Sequence, residues 1–300
     1  TLLEGIQRYL PEGKIIFEKG CDYTSVSDFK PDFAATLKNV KKADVILFAG
    51  GISPKLEGEE MPVKLPGFRG GDRETIELPE IQTQMMRELK KTGKPLVYVN
   101  FSGSAIALER EAQLCDAILQ AWYPGQAGGE AIASVLFGDY NPAGRLPVTF
   151  YKNTAQLPDF EEYSMKGRTY RYMTEEPLFP FGYGLSYTTF RYSGISVVKA
   201  AENKVVVEFD VTNTGKYKGD EIVQLIDLGG AGNADGCAGE IAVQIPGVEH
   251  VGRMVGATLV AQEIRLRAGA VHLGFPFTIH QELGAAVVAD GRVVVGCGNA

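Results

Sequence analysis

Residues 43–51 read ADVILFAGG, a run of apolar side chains closed by two glycines. Its apolar character is continuous rather than alternating, the pattern of a strand covered on both faces, as in a parallel sheet flanked by helices. Outward from it the same texture recurs. KIIFE (14–18), PLVYVN (95–100) and AILQAW (117–122) read as further strands. Between them lie stretches with helical spacing of apolar residues: a short helix around 6–10, then 29–42 with Phe33, Ala34, Leu37 and Val40 on one face, 80–92, 107–114 and 130–137. Pro79 suits the first turn of the third of these and Gly93 its end. Alternation of such strands and helices predicts an α/β sandwich with a mostly parallel sheet over residues 1–165.

One connection breaks this economy. From Gly50 to Pro79 the chain runs for nearly thirty residues without a clear helix or strand, reading GGISPKLEGEEM (50–61) and later GGDR (70–73). Loops beyond about 12–15 residues are uncommon in compact domains and tend to be functional or disordered. Apolar residues interleave this one (Leu56, Met61, Val63, Leu65, Phe68), so a structured loop is expected. It also carries Glu57, Glu59 and Glu60, a carboxylate cluster at the carboxyl end of a parallel strand, where an α/β protein places acid/base chemistry. Clustered like charges raise the proton affinity of at least one member, which suits a proton donor.

Composition narrows the chemistry. The 300 residues carry a net charge of -7 and no Lys/Arg-rich run, so nothing points to nucleic acid. No stretch of 18 apolar residues is available to span a membrane as a helix. The four cysteines (Cys21, Cys115, Cys237, Cys297) form no C-x-x-C pair, so neither a zinc site nor a disulfide scaffold is expected. All three histidines (His250, His272, His280) lie near the end of the chain. A Ser-His or Cys-His nucleophile and a His-ligated metal are therefore excluded from the first 249 residues, leaving carboxylates, Lys, Tyr or Arg for any catalysis there. Gly128-Gly129 opens a helix without G-x-G-x-x-G; close helix packing explains it better than phosphate binding.

From residue 141 Pro, Gly, Tyr and Phe crowd together in RLPVTF (145–150), GRTYRY (167–172) and PLFPFGYGLSYTTF (177–190). Aromatic residues this dense call for burial, so 166–192 is read as a packed connector. Beyond it KVVVEFDVTN (204–213) alternates with period two, and Asn213-Thr214-Gly215 makes a turn. With further strands at 195–198, 220–228, 241–244, 257–266, 271–279 and 292–295, residues 193–300 are expected to form an all-β sandwich, with 227–262 atypical.

The run AILQAWYPGQAGGEAIASVLFGDYNPAGRLPVTFY (117–151), with TYRY (169–172) and PLFPFGYGLSYTTF, closely resembles glycoside hydrolase family 3, the β-glucosidases, β-xylosidases and related exo-acting enzymes. GGISPKLEGEEM with GGDR is most similar to its xylosidase-type and mixed-specificity branch. The resemblance implies a retaining glycosidase assembled from three parts: an N-terminal (β/α)8 barrel with the nucleophilic aspartate, an α/β sandwich domain with the acid/base glutamate, and a fibronectin type III-like sandwich. This chain matches the last two, so the barrel is the implied missing partner and an oligosaccharide the implied substrate. On the family pattern Glu59 falls on the general acid/base position, with Glu57 the runner-up. The double displacement needs no metal or cofactor, and a periplasmic or extracellular setting is implied.

Two further residues are candidates for sugar contact. Arg73 could position a hydroxyl, although holding the loop is the favoured role, and Trp122 could stack on a sugar face, with core packing at least as good an explanation. Tyr170, Tyr172 and Tyr183 are read as interdomain packing. The rival reading is a non-catalytic sugar-binding or structural module; a nucleotide-binding α/β protein is disfavoured by the missing phosphate loop.

Overall fold

The computed structural model describes residues 1–10, 14–58, 60–201, 204–223, 226–227, 240–242, 253–255, 261–266 and 293–296. The chain divides into two compact units, the described residues of 1–185 and 278–300 in one and those of 186–277 in the other.

In chain order the first unit contains α1 (Leu2–Gln7), β1 (Ile15–Glu18), α2 (Phe33–Val40), β2 (Val45–Gly51), β3 (Lys64–Leu65), β4 (Phe68–Arg69), β5 (Asp72–Arg73), α3 (Glu80–Lys90), β6 (Leu96–Phe101), α4 (Glu109–Leu114), β7 (Ala117–Gln120), α5 (Gly128–Leu136) and α6 (Thr169–Tyr172). The second contains β8 (Phe190–Ala201), β9 (Lys204–Asn213), β10 (Ile226–Asp227), β11 (Glu240–Ala242), β12 (Arg253–Val255) and β13 (Ala261–Leu266). The last strand, β14 (Val293–Gly296), belongs to the first unit.

The main sheet has the order β1-β14-β2-β6-β7 and every pairing is parallel. Continuous apolar runs in β2 and β6 place Ile46, Phe48, Leu96 and Tyr98 in a core closed by Met85, Met86 and Leu89 of α3. Side-chain caps fix the starts of α1 and α2, whereas α3 begins after a proline that makes no capping bond. Thr1 and Glu4 form a reciprocal capping box on α1, Asp32 accepts from the Ala35 amide at 2.9 Å to open α2, and Pro79 occupies the N-cap of α3. Helix α5 packs on α1 through glycine. A Cβ on Gly129 would lie 2.0 Å from the Thr1 carbonyl oxygen, and one on Gly128 would lie 2.3 Å from the Pro124 ring, so the helix contact accounts for the second glycine of the pair and the preceding turn for the first.

Strand β14 departs from the sequence expectation, which put 292–295 in the C-terminal sandwich; its backbone instead pairs between β1 and β2, Val293 opposite Ile15 and Val45. A short all-apolar run such as VVVG suits a buried parallel strand and a sandwich strand equally, so periodicity could not separate the two. In the second unit β8 and β9 pair antiparallel and β13 joins β9 in parallel, whereas the expected sandwich is antiparallel. Strands β10, β11 and β12 form a separate antiparallel sheet. The expected strand at 271–279, most of 227–262 and the three histidines lie outside the described residues.

The aromatic stretch up to residue 185 packs within the first unit. Leu146 N–H donates to Tyr183 O at 2.9 Å and Phe150 N–H to Phe179 O at 2.9 Å, and the Phe179 and Tyr183 rings stack at 4.9 Å. Tyr170, read from sequence as interdomain packing, stacks on Phe181 at 4.5 Å.

Candidate active site

Because β2, β6 and β7 run parallel, the segments that follow them emerge at one sheet edge, with Gly51 opposite Phe101 and Asn100 opposite Gln120. The long segment after β2 is pinned at its root by Gln82 of α3. That buried amide donates to Gly51 O (2.7 Å) and Tyr23 O (2.9 Å) and accepts from Gly51 N–H (2.8 Å). The segment then folds into its own antiparallel meander, β3-β4-β5, with Phe68 buried beneath it. Leu56 and Phe68 join the main hydrophobic core and Val63 and Leu65 pack against it, while Met61 stays exposed, so the loop is structured by anchoring on the domain core.

Glu57 sits where three segments meet. Its Oε1 accepts from Ser104 Oγ, and its Oε2 accepts from Tyr123 Oη at 2.6 Å and from Gly103 N–H at 3.2 Å. Burial, and then the bond to this carboxylate, push the Tyr123 phenol well above its ordinary value, so it stays a donor. Gly103 makes the fit possible. A Cβ there would meet the Tyr123 ring at 2.7 Å and Glu57 Oε2 at 2.9 Å. Tyr123 reaches Glu57 because Trp122 adopts φ 54°, a left-handed conformation rare for a bulky residue and costing of order 1–3 kcal/mol. The indole of Trp122 turns inward, edge-on to Phe150 at 6.0 Å, with its Nε1 buried and without a partner among the described residues.

Arg73 forms a second tie below the first. Its Nη1 donates to Ser104 Oγ (3.3 Å) and Ala105 O (3.1 Å), and its Nη2 to Glu77 O (3.4 Å). Burial lowers its proton affinity while Glu57 and Glu77 oppose that shift. Glu77 fastens the end of the segment by accepting from Thr154 N–H (2.8 Å) and Thr154 Oγ1 (2.5 Å). Burial works to raise the Glu77 carboxyl, but the Thr154 bonds bring it below its usual value.

Behind the rim lies a fully buried polar relay. Tyr98 Oη donates to Asn100 Oδ1 (2.7 Å), Asn100 Nδ2 to Gln120 Oε1 (2.6 Å), and Gln120 Nε2 to Ser102 Oγ (3.0 Å). It stiffens the ends of β6 and β7 from which Ser104 and Tyr123 project. Reading β6 and β7 as simply apolar overlooked this relay, whose only trace in sequence is a polar residue near the end of each strand.

Of the sequence candidates, Glu57 and Arg73 come together and Trp122 adjoins them. Glu59 lies outside the described residues. On its carboxyl side Glu60 has φ 55°, and Met61 N–H donates to Gly58 O at 3.0 Å. Among the described residues no group of three or more His, Cys, Asp or Glu is placed to hold a metal, and no helix is long and apolar enough to cross a membrane. A groove of about 240 Å³ on the far side of β7, lined by Leu108, Ile118, Phe150 and Phe179, contains none of the glutamates of this rim.

Fold and site together define an α/β domain that presents a braced, carboxylate-bearing loop at the carboxyl edge of a parallel sheet. Residues 1–187 match the glycosyl hydrolase family 3 C-terminal domain, and the chain belongs to that family. It is 58% identical over 195 residues to a xylan 1,4-beta-xylosidase of Xylanibacter ruminicola, covering 65% of this chain and 22% of that protein. It is 36% identical over 259 residues to a periplasmic beta-glucosidase of Salmonella typhimurium, covering 75% of this chain and 32% of that protein. A GH3 beta-glucosidase of Bifidobacterium adolescentis superposes with a TM-score of 0.60 at 27% identity, over 78% of this chain and 35% of that one. The chain thus spans roughly a fifth to a third of the length of these relatives.

Proposed function

We propose that this chain supplies the acid/base half of the active site of an exo-acting, retaining β-glycosidase that removes terminal β-linked xylose or glucose from oligosaccharides. Glu59 is the acid/base in this reading. The observation that carries it is the bracing of the 52–79 segment, fixed by Gln82 at its root, by Glu57 and Arg73 in its middle and by Glu77 at its end. A loop fastened at all four points can hold a proton donor at one place over a substrate.

The nucleophile belongs to an N-terminal (β/α)8 barrel outside this chain, with its carboxylate about 5–5.5 Å from the acid/base, the spacing of a retaining enzyme. In the first step the nucleophile bonds to the anomeric carbon while Glu59 gives its proton to the leaving oxygen. In the second, Glu59 takes a proton from water as that water displaces the carboxylate. Similarity to a protein named a xylosidase, at 58% identity, supports xylose ahead of glucose. A periplasmic or extracellular setting is supported by a relative named periplasmic. A fibronectin type III-like domain that begins at 193 and excludes β14, which pairs in the sheet of the first unit, is supported by the run VEFDVTNTGKYKGDEIVQL (207–225) and the antiparallel β8-β9 pair.

The test joins this chain to a nucleophile-bearing family 3 domain and replaces Glu59 with Ala. Hydrolysis of phenyl xyloside, whose leaving group needs protonation, should fall by roughly 10²-fold or more. The first step on dinitrophenyl xyloside should be nearly unaffected, and azide should intercept the glycosyl-enzyme. Equal loss on both substrates, or none, refutes the assignment. Alone, the chain is expected to turn over neither aryl xyloside nor aryl glucoside and to act as a non-catalytic module.

A further inference from the structure

We infer that Glu57 is a positioning residue, a latch closed by Tyr123, Ser104 and Gly103 that sets the angle at which the neighbouring acid/base presents its proton. The inference rests on the reading of Glu59 as that acid/base. Both Glu57 oxygens are occupied, one by Ser104 Oγ and the other by Tyr123 Oη at 2.6 Å and Gly103 N–H at 3.2 Å. A carboxylate that takes three donors is serving as an acceptor, with a donor already seated on each oxygen where a proton bound for a glycosidic oxygen would have to be carried.

The donors come from the segments after two different strands, β6 and β7, so the latch ties the acidic loop to both. Several features let it close. Gly103 leaves room for the Tyr123 ring, Trp122 holds a strained φ of 54° that aims Tyr123, and Arg73 fixes Ser104 from below through Nη1. Only Gly58 separates Glu57 from Glu59, and successive Cα atoms are about 3.8 Å apart, so a shift at the latch is passed on to the acid/base. A misplacement of about 1 Å costs on the order of 10²-fold in rate.

The experiment uses the same joined enzyme with Tyr123→Phe, Glu57→Gln, Glu57→Ala and the Tyr123→Phe/Glu57→Gln double variant, beside Glu59→Ala. Tyr123→Phe and Glu57→Gln are expected to lower kcat on phenyl xyloside roughly tenfold or more. On dinitrophenyl xyloside kcat/KM, which reports the first step alone, stays within about twofold of the parent, since acid assistance matters little there. KM for phenyl xyloside stays unchanged, and the double variant is no worse than the poorer single one because both break the same contact. Removing the Glu57 charge also moves the alkaline limb of kcat/KM to lower pH, a shift that Tyr123→Phe does not reproduce.

If both single variants match the parent on both substrates, or lose activity on both equally, the latch is refuted. Glu59→Ala, read separately by its leaving-group dependence and azide trapping, then shows whether the acid/base reading survives. If Glu57→Ala rather than Glu59→Ala gives the azide-trapped signature, Glu57 is itself the acid/base and both readings fall.

Discussion

Glu111 offers a test in which a single proton can be counted. It lies on α4, fully buried against α3, where Oε1 accepts from the equally buried Thr83 hydroxyl at 2.5 Å and Oε2 has no partner among the described residues. Burial raises its carboxyl above the ordinary value of 4.5, and the Thr83 bond opposes the shift without cancelling it. The folded state therefore keeps a proton that the unfolded chain releases. The stability this contributes is complete below the unfolded value and is lost as pH rises through the higher folded one. One proton limits the slope to about 1.4 kcal/mol per pH unit. For a urea m-value of about 3 kcal/mol/M that is a fall of roughly 0.5 M in midpoint per unit. Glu111→Gln keeps the shape but cannot ionise, so its curve should lack this fall and rise relative to the parent as pH increases above the ordinary carboxyl value of 4.5. Any fixed cost of the amide, including its unpartnered nitrogen, shifts all pH values alike and leaves the slope intact. Urea midpoints of both proteins at four pH values suffice. Parallel curves would refute the reasoning, and a parent that gains on the variant with rising pH would show that Glu111 is ionised and paired.

Two other outcomes follow from packing. Gly129→Ala sets a methyl 2.0 Å from the Thr1 carbonyl oxygen, so α1 must move off α5. That overpacking should cost about 1–3 kcal/mol, a fall in Tm of roughly 2–4 °C per kcal/mol by calorimetry; an unchanged Tm would mean the helices part freely. Burial pushes the thiols of Cys21 and Cys115 up to about 12. At pH 8 both should alkylate on the order of a thousandfold more slowly than a free cysteine, and at the ordinary rate in denaturant, as read by peptide mass spectrometry.

Much of this fold is legible because its signals are local. The run ADVILFA marks β2, Pro79 and Gly93 bracket α3, and KVVVEFDVTN coincides with β9. The structured nature of the 52–79 segment could also be seen, in apolar residues that had no purpose unless buried. What escaped was whatever depends on a distant partner. Gln82 looks like an ordinary helix-surface residue until the end of β2 is set beside it. Ser104 and Tyr123 carry no motif of their own, and Glu57 could be ranked against Glu59 only by loop pattern.

The sequence by itself determined the class of sheet, the long structured acidic loop, the absence of histidine chemistry from the first 249 residues and the family, since each is written in residue type, spacing or motif order. Tertiary structure alone decided that β14 enters the sheet between β1 and β2, and that Glu57, Ser104, Arg73 and Tyr123 meet at one edge. Strand order and side-chain convergence are set by which surfaces bury one another across long stretches of chain. A hydrogen bond between residues 57 and 123 has no local signature, because it exists only once parallel strands have carried both to the same end of the sheet.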